Sequence, residues 1–179
     1  FLFTVIFSPI ILFSIIVISV IKLFRGEKIF YLCERVGLNN KVFTLYKFRT
    51  IYKTNSYKKK NFHIIKKNDF NYFLNKTQLD ELPQFLIILI GDMSIIGPRP
   101  ERYILDKIYS KKIKNYNKRK LIKPGITGYA QINNTYSVNI PQTKNKLKYD
   151  LYYLNNQSIL LDLKIVLTSF LRIFTNIFF

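Results

Sequence analysis

The chain begins with a long apolar segment, because no charged residue occurs from Phe1 to Ile21. At about 1.5 Å per residue, a helix of this length just spans a bilayer core of roughly 30 Å. Ser8-Pro9 lies inside the segment, and a proline removes a backbone donor and kinks a helix. The pattern therefore allows either a spanning helix or a re-entrant helix, broken at Ser8-Pro9, that returns to the side it entered.

Basic residues follow this segment at once, namely Lys22, Arg25 and Lys28. Such residues mark the cytoplasmic end of a membrane segment. A signal peptide is disfavoured, because the segment has neither a basic start nor a cleavage site of small residues. We expect residues 1–24 to form the membrane segment and residues 25–179 to form a domain at the cytoplasmic face. Since the chain starts at Phe1, we also expect a further piece to precede it.

The middle of the chain predicts a hairpin and a buried helix. Apolar positions alternate loosely from Cys33 to Ile51 around a turn with glycine and asparagine, which is typical of two short strands. The residues from Thr77 to Asp80 have the spacing of a capping box, so they predict the start of a helix. That helix is expected to end at Gly91, and its apolar body, Phe85 to Ile90, is expected to be buried.

Two later segments predict amphipathic helices. Tyr103 to Lys123 is a basic segment with one apolar face, and it fits either an anionic bilayer surface or a solvated helix packed on the core. Near the end of the chain a narrow polar stripe recurs at helical spacing among apolar residues, which predicts a helix lying in a membrane interface. The stripe consists of Ser158, Asp162, Ser169, Arg172 and Asn176. With the glycine-rich loop Lys123 to Gln131 leading into a strand, the chain is predicted to be α/β and mainly α.

Composition narrows the class of partner. The chain has 179 residues, which fits one domain, and 49% are apolar, which excludes a disordered chain. Its formal charge of +19 requires an anionic partner, so nucleic acid, an anionic membrane and a phosphorylated substrate all qualify. Cys33 is the single cysteine, so a disulfide framework is excluded and a small buried side chain is expected.

Two adjacent carboxylates, Asp80 and Glu81, are conspicuous in so basic a chain. An ionised aspartate at a helix start can act as a nucleophile towards phosphorus. A neighbouring carboxylate offers hard oxygen to Mg²⁺, which takes one or two carboxylates together with substrate phosphate. The alternative is a plain capping box, because acidic first turns of helices are common and mostly structural.

Three cations are candidates for binding phosphate. Arg99 lies between Pro98 and Pro100, which stiffen its backbone, and a guanidinium on a stiff loop can clamp phosphate oxygens. A rigid turn with a surface arginine is equally compatible with this pattern. Lys47 and Arg49 flank Phe48 on a predicted strand, so their side chains share a face and could join the same site.

The order of these motifs resembles the bacterial sugar transferases of the monotopic phosphoglycosyl transferase family. The resemblance covers nearly the whole chain. The residues that carry it are Phe7-Ser8-Pro9-Ile10, Arg35-Val36-Gly37, Lys47-Phe48-Arg49-Thr50, Leu79-Asp80-Glu81-Leu82-Pro83-Gln84, Gly91-Asp92-Met93-Ser94, Gly97-Pro98-Arg99-Pro100, Lys123-Pro124-Gly125-Ile126-Thr127-Gly128-Tyr129-Ala130-Gln131, Asp150-Leu151-Tyr152-Tyr153 and Leu161-Asp162-Leu163-Lys164.

This resemblance implies a membrane enzyme on the cytoplasmic face of the bacterial inner membrane, with a re-entrant helix broken at Ser8-Pro9. The sequence leaves the oligomeric state open, and a homodimer through the apolar surface is compatible with it. It implies transfer of a sugar 1-phosphate from a UDP-sugar to undecaprenyl or another polyprenyl phosphate, releasing UMP, as the first membrane step of glycan or exopolysaccharide synthesis. By the same resemblance Asp80 is the nucleophile that forms a covalent phosphosugar and, with Glu81, a Mg²⁺ ligand; the alternative role for Glu81 is to help the second step. Arg99, Lys47, Arg49 and Gln131 are the residues expected to bind substrate phosphate.

Two departures from the family keep a second hypothesis open. Asn75 and Thr135 stand where the family often has arginines near phosphate-binding segments. A catalytically impaired member that serves as a membrane-bound binding module is therefore the alternative. A nucleic-acid-binding protein ranks last, because charge alone suggests it and it does not explain the uncharged start; we expect no nucleic-acid partner.

Overall fold

The computed structural model describes residues 2–51, 69–133 and 139–178. His63 and Thr135 lie outside these ranges. By its contacts the chain divides into two units, and each is described by itself. The first comprises Phe1–Leu32, Tyr46–Phe85 and Ile173–Phe179, and the second comprises Cys33–Leu45 and Leu86–Arg172.

The described residues are mainly helical, with two small sheets, which confirms the predicted α/β class in its coarse form. The helices are α1 (Leu2–Phe24), α2 (Phe70–Lys76), α3 (Gln84–Ile90), α4 (Tyr103–Lys112), α5 (Tyr129–Ile132), α6 (Ile140–Asn155) and α7 (Ile159–Phe178). The strands are β1 (Phe30–Val36), β2 (Val42–Phe48), β3 (Ser94–Ile96) and β4 (Gly125–Thr127). Strands β1 and β2 form the predicted hairpin, while β3 and β4 pair in parallel, with Ser94 opposite Gly125.

Helix α1 is helical on both sides of Pro9, so the predicted break at Ser8-Pro9 is not confirmed and a re-entrant path stays a prediction. Among the described residues, no helix is both long enough and apolar enough to cross a membrane. Lys22, near the end of α1, is fully buried and donates to Glu27 Oε2 (2.8 Å), to the Arg49 carbonyl (2.8 Å) and to Asn71 Oδ1 (2.7 Å). Lys22 is therefore a structural residue of the first unit and not an exposed flanking cation.

The predicted helix from Thr77 to Gly91 begins later than expected. Thr77 ends α2, and its hydroxyl donates back to the Phe73 carbonyl (2.7 Å), so it caps nothing downstream. Pro83 has no N–H that could donate a helical hydrogen bond to an earlier residue, and α3 starts only at Gln84. Its end at Gly91 (φ +97°) is confirmed. Burial of its body holds only in part, because Ile90 is 75% exposed.

The predicted helix from Tyr103 to Lys123 is two elements. Helix α4 ends at Lys112, Asn115 adopts a left-handed conformation (φ 63°), and a 3₁₀ helix follows from Tyr116 to Leu121. The predicted apolar face packs in part: Tyr109, Ile113 and Tyr116 form a core cluster with Leu147 of α6, whereas Ile108 is 40% exposed. The break turns two of the predicted surface cations, Arg119 and Lys120, into buried residues.

Three residues of the polar stripe of helix α7, Asp162, Ser169 and Arg172, face the protein. Tyr153 donates to Asp162 Oδ1 (2.7 Å), Ser169 pairs with Thr127 (2.6 Å), and Arg172 donates to the Gln131 carbonyl (2.9 Å). The apolar side chains that remain exposed include Ile159, Leu160, Leu163, Leu167, Phe170 and Leu171. Polar contacts to the protein on one side and exposed apolar groups on the other agree with the predicted interfacial helix, which itself stays a prediction.

Candidate active site

The two candidate carboxylates lie in a tight turn of the first unit. Gln78 adopts a left-handed conformation (φ 57°) and opens a 3₁₀ turn from Leu79 to Glu81. Asp80 is only 7% exposed in this turn. The dyad thus lies in the first turn of a short 3₁₀ helix and not, as predicted, at the start of the apolar helix α3, which begins at Gln84. The turn still presents the two acids next to each other, with Asp80 the more buried.

Lys47 contacts the dyad directly. Its ammonium forms an ion pair with Glu81 Oε1, and the two side chains are 18% and 15% exposed. Strand β2 positions Lys47, and the following Phe48, 1% exposed, anchors the strand end. The sequence proposed Lys47 as a phosphate-binding residue beside Arg99, which stays a prediction; its contact with Glu81 was not predicted.

Arg49 is held by three groups of the first unit. Its N–H donates to the Ile29 carbonyl (2.9 Å), and its own carbonyl accepts from Lys22 (2.8 Å). The guanidinium lies over the ring of Tyr31, 5.7 Å from its centroid. Because a cation over an aromatic face is attracted by the ring quadrupole, these contacts fix where the charge of Arg49 is presented.

Arg99 and Gln131 meet at one carbonyl in the second unit. Arg99 Nη1 donates to the Ile126 carbonyl at 3.4 Å, and Gln131 Nε2 donates to the same oxygen at 2.7 Å. Gln131 Oε1 is buried, and no described residue donates to it. The sequence proposed both residues for phosphate, and in this structure they share a backbone acceptor in β4.

The loop that carries Arg99 is fastened through its carbonyls. The carbonyls of the four consecutive residues 98–101 each accept a hydrogen bond, and the donors come from three other segments. The donors are Gly125 N to Pro98 O (3.1 Å), Arg119 Nη2 to Arg99 O (2.8 Å), Arg35 Nη1 to Pro100 O (3.0 Å) and Val36 N to Glu101 O (3.1 Å). Sequence reasoning missed the part played by Arg119, because its position in a basic segment indicated a surface.

Three buried ion pairs lie in the same unit as this loop. They are Arg119 with Asp150 (2.7 Å), Lys146 with Glu101 (2.5 Å) and Lys120 with Asp106 (2.5 Å). Burial opposes the charge of Arg119, but Asp150 outweighs it and the pKa of Arg119 is raised. Burial and the nearby Arg119 lower the pKa of Lys146. The scarcity of acids in this chain was the signal that could have found these pairs, because a rare carboxylate among many cations usually has a partner.

The described residues contain no group of three or more His, Cys, Asp and Glu side chains placed to hold a metal ion. Asp80 and Glu81 nevertheless offer adjacent carboxylate oxygens, and Mg²⁺ commonly binds one or two carboxylates and completes its shell with water and substrate phosphate. The donor chemistry of the dyad therefore fits Mg²⁺, which stays a prediction.

Comparison with known proteins agrees with these motifs. A family model described as bacterial sugar transferase matches residues 1–176. The UDP-N-acetylgalactosamine-undecaprenyl-phosphate N-acetylgalactosaminephosphotransferase of Aeromonas hydrophila is 34% identical over 173 residues, which are 95% of this chain and 40% of that protein. The uncharacterized sugar transferase EpsL of Bacillus subtilis (strain 168) is 38% identical over 162 residues, 89% of this chain and 75% of that protein.

A third relative points in the same direction. The UDP-glucose:undecaprenyl-phosphate glucose-1-phosphate transferase of Klebsiella pneumoniae is 34% identical over 184 residues, which are 98% of this chain and 38% of that protein. The chain thus spans about 40% of the length of the relatives from Aeromonas hydrophila and Klebsiella pneumoniae, whose names both state substrates.

Proposed function

The chain belongs to the bacterial sugar transferase family, and from this premise we propose that it transfers a sugar 1-phosphate from a UDP-sugar to a polyprenyl phosphate such as undecaprenyl phosphate. Two relatives carry names that state this type of reaction. The observation that carries the proposal is the turn of Asp80 and Glu81 with Lys47 bound to Glu81. It joins a buried carboxylate, a second carboxylate and a cation.

Asp80 is the proposed nucleophile. One of its carboxylate oxygens forms a bond to the phosphorus that carries the sugar, and the bond from that phosphorus to the UMP oxygen breaks, so UMP leaves with the electron pair. In the second step an oxygen of polyprenyl phosphate attacks the same phosphorus and the Asp80 carboxylate is released. The two displacements return the enzyme unchanged and yield polyprenyl-diphosphate sugar. Burial favours this role, because few waters can compete for the covalent intermediate.

Glu81 and Lys47 are proposed to reduce the electrostatic repulsion between Asp80 and the anionic substrate. Asp80 and Glu81 would hold Mg²⁺, which when bound neutralises phosphate charge. Lys47, paired with Glu81, places a positive charge beside two carboxylates and so reduces their repulsion of an anionic donor. Arg99 is proposed to bind a substrate phosphate from its fastened loop, and Arg49 and Gln131 are proposed as further residues that position substrate.

The lipid acceptor places the proposed reaction at a membrane. The exposed apolar side of α7 and the apolar helix α1 support a position at the cytoplasmic face of the bacterial inner membrane. A helix with a broad apolar side lies with that side in the headgroup region. A homodimer through apolar surface is compatible with this placement.

The test is UMP release by protein held in detergent or nanodiscs with Mg²⁺, undecaprenyl phosphate and a panel of UDP-sugars. Release that needs the lipid and disappears in Asp80→Asn supports the proposal, and it also identifies the sugar. Asp69→Asn is the matched control, because it makes the same chemical change at a half-exposed carboxylate of the same unit. No UMP release with any sugar from folded wild-type protein would contradict the proposal and favour a binding module without catalysis.

A further inference from the structure

The Arg99 loop has an unusual form of attachment. Pro98 and Pro100 have no N–H, so this stretch of backbone cannot be held by its own donors on either side of Arg99. It is held instead by its four carbonyls. Of these, the Arg99 carbonyl itself depends on one side chain, Arg119 (2.8 Å). The direction in which the Arg99 side chain leaves the backbone therefore depends on the position of the Arg119 guanidinium.

Arg119 is in turn fixed in three directions. Its Nε donates to Asp150 Oδ2 (2.7 Å), its Nη1 donates to the Tyr116 hydroxyl (3.3 Å), and its Nη2 donates to the Arg99 carbonyl. Arg119 and Asp150 are only 5% and 2% exposed. Because a guanidinium is planar and rigid, fixing Nε on Asp150 also fixes where Nη2 points. The chain of contacts runs from Asp150 through Arg119 to the backbone of Arg99.

We propose that Arg119, oriented by Asp150, is a positioning residue that sets the direction of Arg99 and thereby the affinity for the phosphates of the sugar donor. This inference rests on the proposed function, in which Arg99 binds substrate phosphate. It assigns Arg119 no contact with substrate. A lysine at position 119 would keep the positive charge but lose the planar fork that reaches Asp150 and the Arg99 carbonyl together.

The neighbouring residue provides a matched control. Lys120 is also 5% exposed and also forms a buried ion pair, with Asp106, and it lies in the same 3₁₀ segment. Its ammonium donates to Asp106, Asn40 and Ser110, none of which belongs to the Arg99 loop. If the Arg119 pair served only to stabilise this unit, loss of either cation would have the same consequence for activity.

The experiment compares Arg119→Gln, Arg119→Lys and Lys120→Gln by thermal unfolding and by steady-state kinetics of UMP release. Both glutamine variants leave a buried carboxylate without its cation, so both are expected to unfold at lower temperature. Only the Arg119 variants are expected to raise KM for the UDP-sugar, about tenfold, as loss of a hydrogen bond from a charged group predicts. A Lys120→Gln variant with the same rise in KM would overturn the inference.

A double-mutant cycle separates positioning from packing without relying on a destabilised protein. Arg119→Lys is measured in the wild-type background and in the Arg99→Lys background. If Arg119 acts through Arg99, the second Arg119→Lys step is expected to change KM less than about twofold, because the residues are coupled. Equal, additive effects of Arg119→Lys in both backgrounds would overturn the inference.

UDP binding, measured by titration calorimetry on the same proteins, separates failure of the inference from failure of the proposed function. Wild-type protein that binds UDP about tenfold more tightly than Arg119→Lys, yet releases no UMP, would contradict the transfer reaction and retain the positioning role. Wild-type protein that turns over while Arg119→Lys is unchanged in KM and in UDP affinity would overturn the positioning role alone. Wild-type protein that neither binds UDP nor releases UMP would overturn both.

Discussion

Two ion pairs in this protein use the same chemistry in different surroundings. Lys47 and Glu81, in the first unit, are 18% and 15% exposed. Arg119 and Asp150, in the second unit, are 5% and 2% exposed, and the arginine makes further hydrogen bonds to Tyr116 and to the backbone of Arg99. The first pair keeps access to solvent and so to a ligand, whereas the second is enclosed by the protein.

The difference indicates what each pair can do. A buried charge pair is stable only when further hydrogen bonds complete its shell, and removal of one partner then leaves an uncompensated charge. Arg119 and Asp150 meet this condition, so they are suited to fixing a loop. A pair that retains exposure can exchange partners with an incoming phosphate, which suits the Lys47 and Glu81 pair for binding and chemistry.

The largest expected effect is on the buried pair. Asp150→Ala should reduce the free energy of unfolding by about 3–5 kcal/mol, because Arg119 keeps its charge in a buried site without its carboxylate. Chemical denaturation of the purified protein measures this. Asp92→Ala, which removes the partner of the exposed Lys41, is the control and should change little. A loss below about 1 kcal/mol in Asp150→Ala would mean that water reaches Arg119 and that the two pairs do not differ.

The next effect concerns activity and not stability. Lys47→Gln should lower kcat/KM about tenfold to hundredfold, because the cation bound to Glu81 is lost beside the nucleophile, while the unfolding midpoint stays nearly unchanged. UMP release and thermal unfolding of the same sample are the two measurements. Lys47→Arg keeps the charge and should recover part of the activity. A large fall in unfolding midpoint without loss of activity would assign Lys47 to the fold.

A smaller effect should appear in the pH dependence of stability. Burial alone would raise the pKa of Glu101, but Lys146 and Arg119 outweigh it, so the pKa lies below its ordinary value of 4.5. A carboxyl group with a lowered pKa stabilises the folded state above its unfolded pKa and loses this contribution as the pH falls through the folded pKa.

Glu101→Gln should therefore lower the unfolding midpoint at pH 7, and its deficit should shrink as the pH falls below about 4.5. Thermal unfolding of wild type and variant between pH 3 and pH 7 (about 3 to 7 is the range in which a carboxyl group titrates) measures the difference. A deficit that is constant across this range would show that Glu101 acts through packing and not through its charge.

The smallest effect is expected at an exposed pair. Lys41 is 66% exposed and pairs with Asp92. Lys41→Ala should change the free energy of unfolding by less than about 0.5 kcal/mol, because exposed ion pairs contribute little in water. Chemical denaturation of this variant and of Asp150→Ala measures the smallest and the largest expected loss in the free energy of unfolding. A loss above about 2 kcal/mol would remove the distinction between enclosed and exposed pairs.

The sequence predicted those elements whose signals are local. The hairpin around Gly37 and the end of α3 at Gly91 follow from turn and C-cap residues, and both are confirmed. The start of α3 was predicted wrongly because the capping-box spacing of Thr77 and Asp80 competes with the end of α2, and Thr77 donates to that helix instead. Spacing alone does not show which of two helices a hydroxyl serves.

The sequence pointed to the acidic residues of the candidate site, because acids are rare in this chain. It did not point to the buried cations, because cations are common. Asp80 and Glu81 were conspicuous because acids are few, whereas the pairing of Lys47 with Glu81 appeared only in the structure. Arg119 and Lys22 were indistinguishable from the many other cations in the sequence, since only tertiary structure shows which of them are buried. Asp150 and Glu27, their partners, lie 31 and 5 residues away along the chain, and no local period links the more distant pair.

The parallel contact of β3 with β4 also limits how this protein can evolve. At Gly97, Gly125 and Gly128 two backbone segments approach so closely that an added Cβ would overlap main-chain atoms: those of Lys123 at the first, and those of Gly97 at the other two. The obstructing atoms are backbone, so no second substitution nearby can make room. A saturation library should therefore recover only glycine at these three positions. Any change in preference for the sugar donor would then have to come from side chains around the contact of β3 with β4.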